Sequence, residues 1–337
     1  MSTILGIEST AHTFGVGIVK NKKVLSNIKR SFTTKDGEGG MIPNEVAKFH
    51  KKNKHDIYAE SLKEAKIKES DIDAIAFSRG PGLAPCLLEG MELAKELAIK
   101  LSVPLICINH CVAHLEIGQI TGAKDPVMLY ASGANTQVIS YESGKYRVFG
   151  ETLDIGVGNF IDTFARYAGL GFPGGPEIQK LASRGENYID LPYRVKGMDI
   201  ALSGILTNLR QKLDSKKYKL EDLSYSLQET VFAMLVETAE RALAHTGKNE
   251  LLLGGGVACN SRLQEMCKIM CKERGARFFC PERPLLVDNA AMIAYLGEIM
   301  FKNKSYVGAK FGTEKTIEEA DIHPRERTDD IEVTWRK

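Results

Sequence analysis

The strongest constraint on the fold of this chain is a pattern that occurs twice. Ile4 to Thr10 reads as an apolar strand entering a polar turn, Phe14 to Val19 as the returning strand, and Val24 to Ser31 as a third strand. The plan returns in residues 127–152. Val127-Met128-Leu129-Tyr130-Ala131 is the first strand, Ser132-Gly133-Ala134-Asn135-Thr136 the polar turn, Gln137 to Tyr141 the return, and Lys145 to Thr152 the third strand. Each meander is followed by helical periodicities that alternate with short apolar runs. A chain of 337 residues with this degenerate duplication is expected to fold as two related α/β halves, placed here at residues 1–124 and 125–337. Two such halves, facing each other, bring both polar turns to one cleft. Small residues and hydroxyls there let backbone N–H groups approach phosphate oxygens.

Within the first half, Val103 to Ile108 reads as a buried strand that leads into His110-Cys111-Val112-Ala113-His114. In a helix the two imidazoles stand one turn apart on one face, the spacing at which they can share a metal ion. A strand-to-helix junction is also where open α/β sheets hold ligands. Spacing alone leaves a second reading, two ordinary polar helix residues, because 7 histidines in this length give roughly 0.15 such pairs by chance. No Glu follows His110, so the zinc-peptidase motif with its general-base glutamate is absent.

The rest of the chain supplies further candidates. Phe32 to Met41 is Gly-rich and reads as a mobile loop, and Pro43 to Lys66 has helical spacing. Its stretch His50-Lys51-Lys52-Asn53-Lys54-His55 reads as a solvated basic face, with an RNA-facing patch as the alternative. Ile72 to Phe77 is a strand ending in Ser78-Arg79-Gly80-Pro81-Gly82-Leu83, a turn before a helix and so a possible ligand edge. In the second half a helix carries Asp162, and the loop from Leu170 to Glu177 opens a helix over 177–184. Residues 185–200 look irregular, and helices are expected over 203–214 and 221–246. Leu251-Leu252-Leu253 passes into Gly254-Gly255-Gly256, where a ligand can touch backbone, and then into a helix over about 257–274 that bears Asn260. Asp288 opens the last helix. It reads as a cap, with closure of a two-histidine, one-carboxylate metal site as the alternative. The residues from Lys302 read as a polar, extended tail.

Several classes are excluded or disfavoured. No Walker A sequence and no dinucleotide fingerprint occurs. The seven cysteines form no C-x-x-C pair and read as reduced cytosolic thiols, Cys111 as a buried structural one. No apolar run approaches the ~18 residues of a membrane span, and the beginning lacks signal-peptide character. A cytoplasmic location is expected. The net charge of +2 permits a nucleic-acid partner without indicating one, so nucleic-acid binding here would draw on other subunits.

The duplicated meander, polar hairpin turns and glycine-rich loop resemble the actin-like ATPase superfamily. Within it the match to one family runs nearly end to end. Gly6-Ile7-Glu8-Ser9-Thr10-Ala11-His12-Thr13, Ser78-Arg79-Gly80-Pro81-Gly82-Leu83, the His110/His114 pair, Gly156-Val157-Gly158-Asn159, Phe172-Pro173-Gly174-Gly175-Pro176 and Gly254-Gly255-Gly256-Val257 all fit, as does the ending Arg327 to Arg336. The chain resembles the archaeal/eukaryotic tRNA N6-adenosine threonylcarbamoyltransferase family, whose members are catalytic subunits of the KEOPS complex. The resemblance implies a two-lobed actin-like fold of duplicated mixed sheets flanked by helices. It implies one metal ion, Fe(2+) or Zn(2+), held by His110, His114, Tyr130 and Asp288. It implies an adenine nucleotide, threonylcarbamoyl-AMP, with Ser132, Gly133 and Ala134 at its phosphate end and Asp162, Gly175 and Asn260 at its ribose and base. Where the family often has an acidic residue on the ribose, this chain has Gln179, which can bond a hydroxyl but without charge assistance.

The reaction implied is transfer of the threonylcarbamoyl group to N6 of the adenosine 3′ of the anticodon, with release of AMP. The acceptor amine is a poor nucleophile, so positioning and charge stabilisation carry the rate, with the metal as Lewis acid. Glu8 and His12, in the facing hairpin turn, are the candidate catalytic residues. Glu8 alternatively serves as a structural or water-positioning carboxylate. Implied partners are tRNA, a small kinase-like ATPase, dimerisation subunits and a separate threonylcarbamoyl-AMP synthase, with no membrane. The rival readings are an ATP-dependent phosphotransferase or ATPase of the same superfamily, and a nucleotide-gated binding subunit.

Overall fold

Both meanders form in the order read from their alternating pattern. The structure is a computed structural model that describes residues 2–33, 41–304 and 317–336. The first meander is β1 (Thr3–Glu8), β2 (Thr13–Lys20) and β3 (Lys23–Ser31). After α1 (Pro43–Ala65), β4 (Ala74–Gly80), α2 (Ala84–Leu101) and β5 (Leu105–Asn109) complete a sheet of order β3-β2-β1-β4-β5. The meander pairs are antiparallel, while β1, β4 and β5 run parallel. Helix α3 (His110–Ile117) follows without a gap.

The second half repeats this plan with β6 (Val127–Ala131), β7 (Thr136–Glu142) and β8 (Lys145–Glu151). Next come α4 (Val157–Tyr167), α5 (Gly174–Ala182), β9 (Val195–Lys196), β10 (Asp199–Ile200), α6 (Ser203–Asp214) and α7 (Leu220–Thr246). The set ends with β11 (Glu250–Gly254), α8 (Ser261–Arg274), β12 (Arg277–Phe279), α9 (Arg283–Leu286) and α10 (Ala290–Lys302). The second sheet has the order β12-β11-β6-β7-β8.

Three apolar cores hold these layers. One packs α1 and α2 on the outer face of the first sheet, and another packs α4 to α8 on the outer face of the second. The third lies between the sheets. Ile4, Ala74 and Ile106 meet Met128, Ile139 and Leu252 through the side chains of α3 and α10. Helix α10 comes very close to the first sheet because Gly6 and Gly17, cross-strand neighbours, form a bare floor beneath it. A Cβ on Gly6 would lie 2.3 Å from the Ala294 nitrogen, and one on Gly17 2.6 Å from the Ala291 nitrogen. Only glycine lets backbone pack against backbone here.

Several expectations need correction. Residues 185–200 are not wholly irregular, because β9 and β10 form a short antiparallel ribbon. The helix expected over 257–274 breaks at Asn260, which caps α8 after a 3-10 turn at Gly256–Cys259. The stretch from His50 to His55 is not a uniformly solvated face. His50 sits fully buried with its ring 5.2 Å from that of Phe14, and Lys54 is buried between Glu89 and Glu92. Nor does the late segment stay extended in solvent. Its described residues 317–336 fold back over both halves, with Ile317, Ala320, Ile331 and Val333 buried. Most of the proposed mobile loop, residues 34–40, lies outside the described residues.

Candidate metal centre

The two histidines and Asp288 meet because two helices are aimed at one point between the sheets. The Asn109 side chain accepts the Val112 N–H at 3.1 Å and so starts α3 at His110. Helix α10 starts beside it and is capped by Asn289, whose side chain accepts the Met292 N–H. Asp288 is therefore not the cap, which corrects that reading. Both residues are favourable caps, and the chain direction entering α10 selects the second. Asp288 instead faces the histidines, with Oδ1 3.4 Å from Nε2 of His110 and 3.4 Å from Nε2 of His114.

These three groups fit a metal ion. Their candidate ligand atoms all lie within 4.8 Å of one another. Tetrahedral bonds of about 2.0–2.2 Å place neighbouring ligand atoms roughly 3.3–3.6 Å apart, which matches the two Asp288-to-histidine distances of 3.4 Å. His114 Nε2 is buried without a well-aligned hydrogen bond, the kind of atom that a cation would satisfy. The far nitrogen of His110 is fixed by Glu8, whose Oε2 lies 3.0 Å from Nδ1. A carboxylate behind a histidine in this way accepts the Nδ1 proton, sets the tautomer and leaves the Nε2 lone pair to face a cation. Thr10 donates its backbone N–H to the other Glu8 oxygen at 2.8 Å and ties the first hairpin turn to the centre. Tyr130, at the end of β6, brings its ring within 5.1 Å of that of His114.

Charge is strongly coupled in this pocket. Burial opposes a charged His110, but the Glu8 and Asp288 carboxylates overcome it and hold the imidazole well above its usual range. For His114 burial prevails and lowers the imidazole. Burial also opposes ionisation of Asp288, yet its close contacts with both histidines hold the carboxyl well below its usual range. Burial raises the Tyr130 phenol well above the ordinary value. Cys111, on α3, is buried with a raised thiol, in keeping with a structural role.

The remaining sequence-predicted residues, apart from His12, lie in the second half. The turn holding Ser132, Gly133 and Ala134 rests on the start of α4, where Gly158 N–H bonds Ser132 carbonyl at 3.0 Å and Asn159 N–H bonds Gly133 carbonyl at 2.9 Å. A Cβ on Gly158 would lie 2.7 Å from the Gly133 Cα, so glycine permits this contact. The Asp162 carboxylate accepts the Gly174 N–H at 2.8 Å and also bonds Gly175, which brings α4 and α5 together. Burial raises its carboxyl, with these bonds acting against the shift. Gln179 donates to Ser261 at 3.0 Å, next to Asn260. Asn260 caps α8 and donates to Gln228, so part of its hydrogen-bonding capacity is used within the fold. His12 stands across from Phe172, their rings edge to face at 6.3 Å, and so links the two halves at the cleft.

Some contributors were invisible in the sequence. Lys29 of β3 donates to the Asp288 carbonyl at 3.1 Å. Glu326 accepts from Arg79 Nε at 2.9 Å and from Asn109 Nδ2 at 3.0 Å, so the late segment grips the residue that caps α3. Its other end grips the far end of the same helix, because Trp335 and Arg336 both donate to Glu116. The turn Ser78 to Leu83 is therefore not an open ligand edge. Gly82 N–H bonds Pro324 carbonyl at 3.1 Å, and a Cβ on Gly80 would strike the His323 carbonyl.

Comparison with known proteins fixes the family. A family model described as tRNA N6-adenosine threonylcarbamoyltransferase matches residues 23–295. A Thermococcus sibiricus protein of that name is 54% identical over 98% of this chain and 99% of its own length. A Drosophila melanogaster protein, named a probable enzyme of this kind, is 46% identical over 100% of this chain and 99% of its own. A Methanosarcina acetivorans protein named a probable bifunctional tRNA threonylcarbamoyladenosine biosynthesis protein is 50% identical over 99% of this chain but only 60% of its own. Among solved structures, HypF of T. kodakarensis has a TM-score of 0.63 at 16% identity, covering 89% of this chain and 48% of HypF. The Clostridium difficile 2-hydroxyisocaproyl-CoA dehydratase activator has a TM-score of 0.54 at 11% identity, covering 91% and 99%. These distant likenesses speak for the fold alone, which is that of the actin-like ATPases. With relatives in both archaea and an animal matching end to end, this chain belongs to the tRNA N6-adenosine threonylcarbamoyltransferase family.

Proposed function

We propose that this protein transfers the threonylcarbamoyl group from threonylcarbamoyl-AMP to N6 of the adenosine 3′ of the anticodon in tRNAs that read ANN codons, releasing AMP. The observation that carries the reading is the His110, His114 and Asp288 cluster, backed by Glu8, in a chain that matches its relatives from end to end. A divalent ion, Fe(2+) or Zn(2+), bound by these three residues and Tyr130 supplies a Lewis acid for charge developing on carbonyl and phosphate oxygens.

The chain's own groups have separate tasks. Among the described residues nothing takes the N–H groups of Gly133 and Ala134, so they are free to bond phosphate oxygens. Ser132 holds that turn in shape through its bond to Asn135. Asp162, Gly175, Gln179 and Asn260 receive the ribose and base. Glu8 positions His110, a role its burial favours over proton transfer to solvent-borne substrate. His12, at the mouth, faces the entering acceptor. The protein works in the cytoplasm within a KEOPS complex that holds a small kinase-like ATPase and dimerisation subunits, supplied by a separate threonylcarbamoyl-AMP synthase. The bifunctional name of the M. acetivorans relative supports a second activity beside this one. Among the described residues no helix is long and apolar enough to cross a membrane.

The test is nucleoside mass spectrometry of tRNA incubated with the protein, its partner subunits and threonylcarbamoyl-AMP, for wild type and a folded His110→Ala/His114→Ala variant. Threonylcarbamoyladenosine from wild type alone is the expected result. Equal product from both would make the histidines structural. No product from either, with ATP turnover instead, would replace this reading by the ATPase one.

A further inference from the structure

The stretch from residue 163 to residue 219 differs in character from the rest of the molecule. It holds ten Lys and Arg against five Asp and Glu, in a chain whose total net charge is only +2. None of the ten enters an ion pair among the described residues, a state they share with other exposed cations such as Lys51 and Lys52 of α1, so what sets this stretch apart is its excess of positive charge beside exposed rings. The same stretch contains every large aromatic side chain exposed among the described residues, namely Tyr167, Phe172, Tyr188, Tyr193 and Tyr218. Solvent-facing cations interleaved with solvent-facing aromatic rings are the pattern of a surface that binds unpaired nucleic acid.

The two kinds of group are interleaved in space. Helix α6 packs on α4. The Arg210 guanidinium lies 5.0 Å from the centre of the Tyr167 ring, whose hydroxyl donates to Asp214 at 2.7 Å. Lys212 Nζ lies 5.1 Å from the centre of the Tyr218 ring, in the turn between α6 and α7. Lys216, Lys217 and Lys219 flank that ring and are exposed. The face also reaches the cleft. Arg166 lies one helical turn beyond Asp162 and acts on its charge, and Phe172 meets His12 of the opposite half.

We propose that the face built from α4, α6 and the 215–219 turn holds the single-stranded loop of the tRNA, resting on the reading given under Proposed function. Lys212, Lys216 and Lys217 take phosphates, and Tyr167 and Tyr218 stack unpaired bases. An acidic protein could also pack on the rings, but the repeated pairing of a ring with a cation, Tyr167 with Arg210 and Tyr218 with Lys212, matches the alternation of base and phosphate along one strand, so RNA is the better fit.

The test measures binding of a full-length tRNA transcript to the intact protein by fluorescence anisotropy, over a series of salt concentrations. Lys212→Glu/Lys216→Glu/Lys217→Glu is expected to weaken binding at least about tenfold and to flatten the slope of log affinity against log salt by about 2. The matching Gln variant, which carries no repulsion, should show a smaller loss with the same direction of slope change. Tyr167→Ala/Tyr218→Ala should lose affinity with the slope unchanged. Reversal of three exposed lysines on α1, Lys51→Glu/Lys52→Glu/Lys63→Glu, should leave binding within about twofold, since that helix lacks the rings. Metal content and thermal midpoint, read on each preparation, establish that the variants are folded.

Wild-type affinity in the α6 variants would overturn the proposal, as would an equal loss from the α1 reversal. Unchanged tRNA binding together with loss of a co-assembling subunit would make the face a protein interface and overturn it equally. Wild type that modifies tRNA while the α6 variants bind normally would sink only this surface. Wild type that neither binds nor modifies tRNA would remove the functional reading as well.

Discussion

Removing either member of the Arg79–Glu326 pair should destabilise the protein severely and loosen the candidate metal centre. Both residues are only 7% exposed, and the pair joins the end of β4 to the 317–336 segment. Glu326 accepts from Arg79 Nε at 2.9 Å through one oxygen and from Asn109 Nδ2 at 3.0 Å through the other. Glu326→Ala leaves a guanidinium buried without its counter-ion and one amide donor unsatisfied. Breaking a buried pair of this kind costs about 3–5 kcal/mol. Arg79→Ala should cost a similar amount for the mirrored reason. The double variant removes both charges together, so its loss should exceed that of either single variant by less than about 1 kcal/mol, a coupling of roughly 2–4 kcal/mol. Urea unfolding followed by the emission of Trp335, the sole tryptophan, measures all four proteins. Because Asn109 caps α3, the single variants should also release metal to a chelator faster than wild type. Single losses below about 1 kcal/mol, or losses that simply add in the double variant, would refute the reasoning.

Two further perturbations probe the interior. Glu8→Gln keeps the shape behind His110 but weakens the bond at Nδ1, and metal affinity measured by chelator competition should fall roughly 10–100-fold, with unchanged affinity counting against the arrangement. Burial pushes the His50 imidazole down to about 4, while an unfolded histidine titrates near 6.5. Between these values the unfolded chain binds the extra proton, so His50 removes about 3 kcal/mol of stability as pH falls from about 6.5 to about 4. Its full contribution is present above that window. His50→Phe should flatten the acid limb of the stability curve by this amount, and a limb parallel to that of wild type would show that the ring charges without penalty.

The architecture was legible because it rests on repetition. Two alternating meanders with matching polar turns specify registers such as Gly6↔Gly17 and Leu129↔Val138, and period-two patterns survive when residue identities drift. The histidine pair was legible for the same local reason, a fixed spacing on one helix. Asp288 was ambiguous because Asp288 and Asn289 are both good caps, and only the approach of α10 to the first sheet decides which one turns toward the histidines. His50 was hidden by its basic neighbours, since a helix places adjacent residues on different faces. Glu326 and Glu116 were beyond sequence reasoning altogether. Glu326 is one carboxylate in a polar stretch and Glu116 one in a buried apolar helix, and each has partners more than two hundred positions away.

The glycine floor under α10 also bears on how the molecule is built in time. One face of the first sheet, at Gly6 and Gly17, is covered by residues 290–302, which emerge from the ribosome long after that sheet's strands. At about 5–20 residues per second, an apolar surface stays bare for many seconds during synthesis. The nascent first half therefore presents a long-lived apolar face, the kind of surface that favours aggregation until it is covered. The His110, His114 and Asp288 cluster also forms late, since Asp288 arrives just before the helix that closes the sheet.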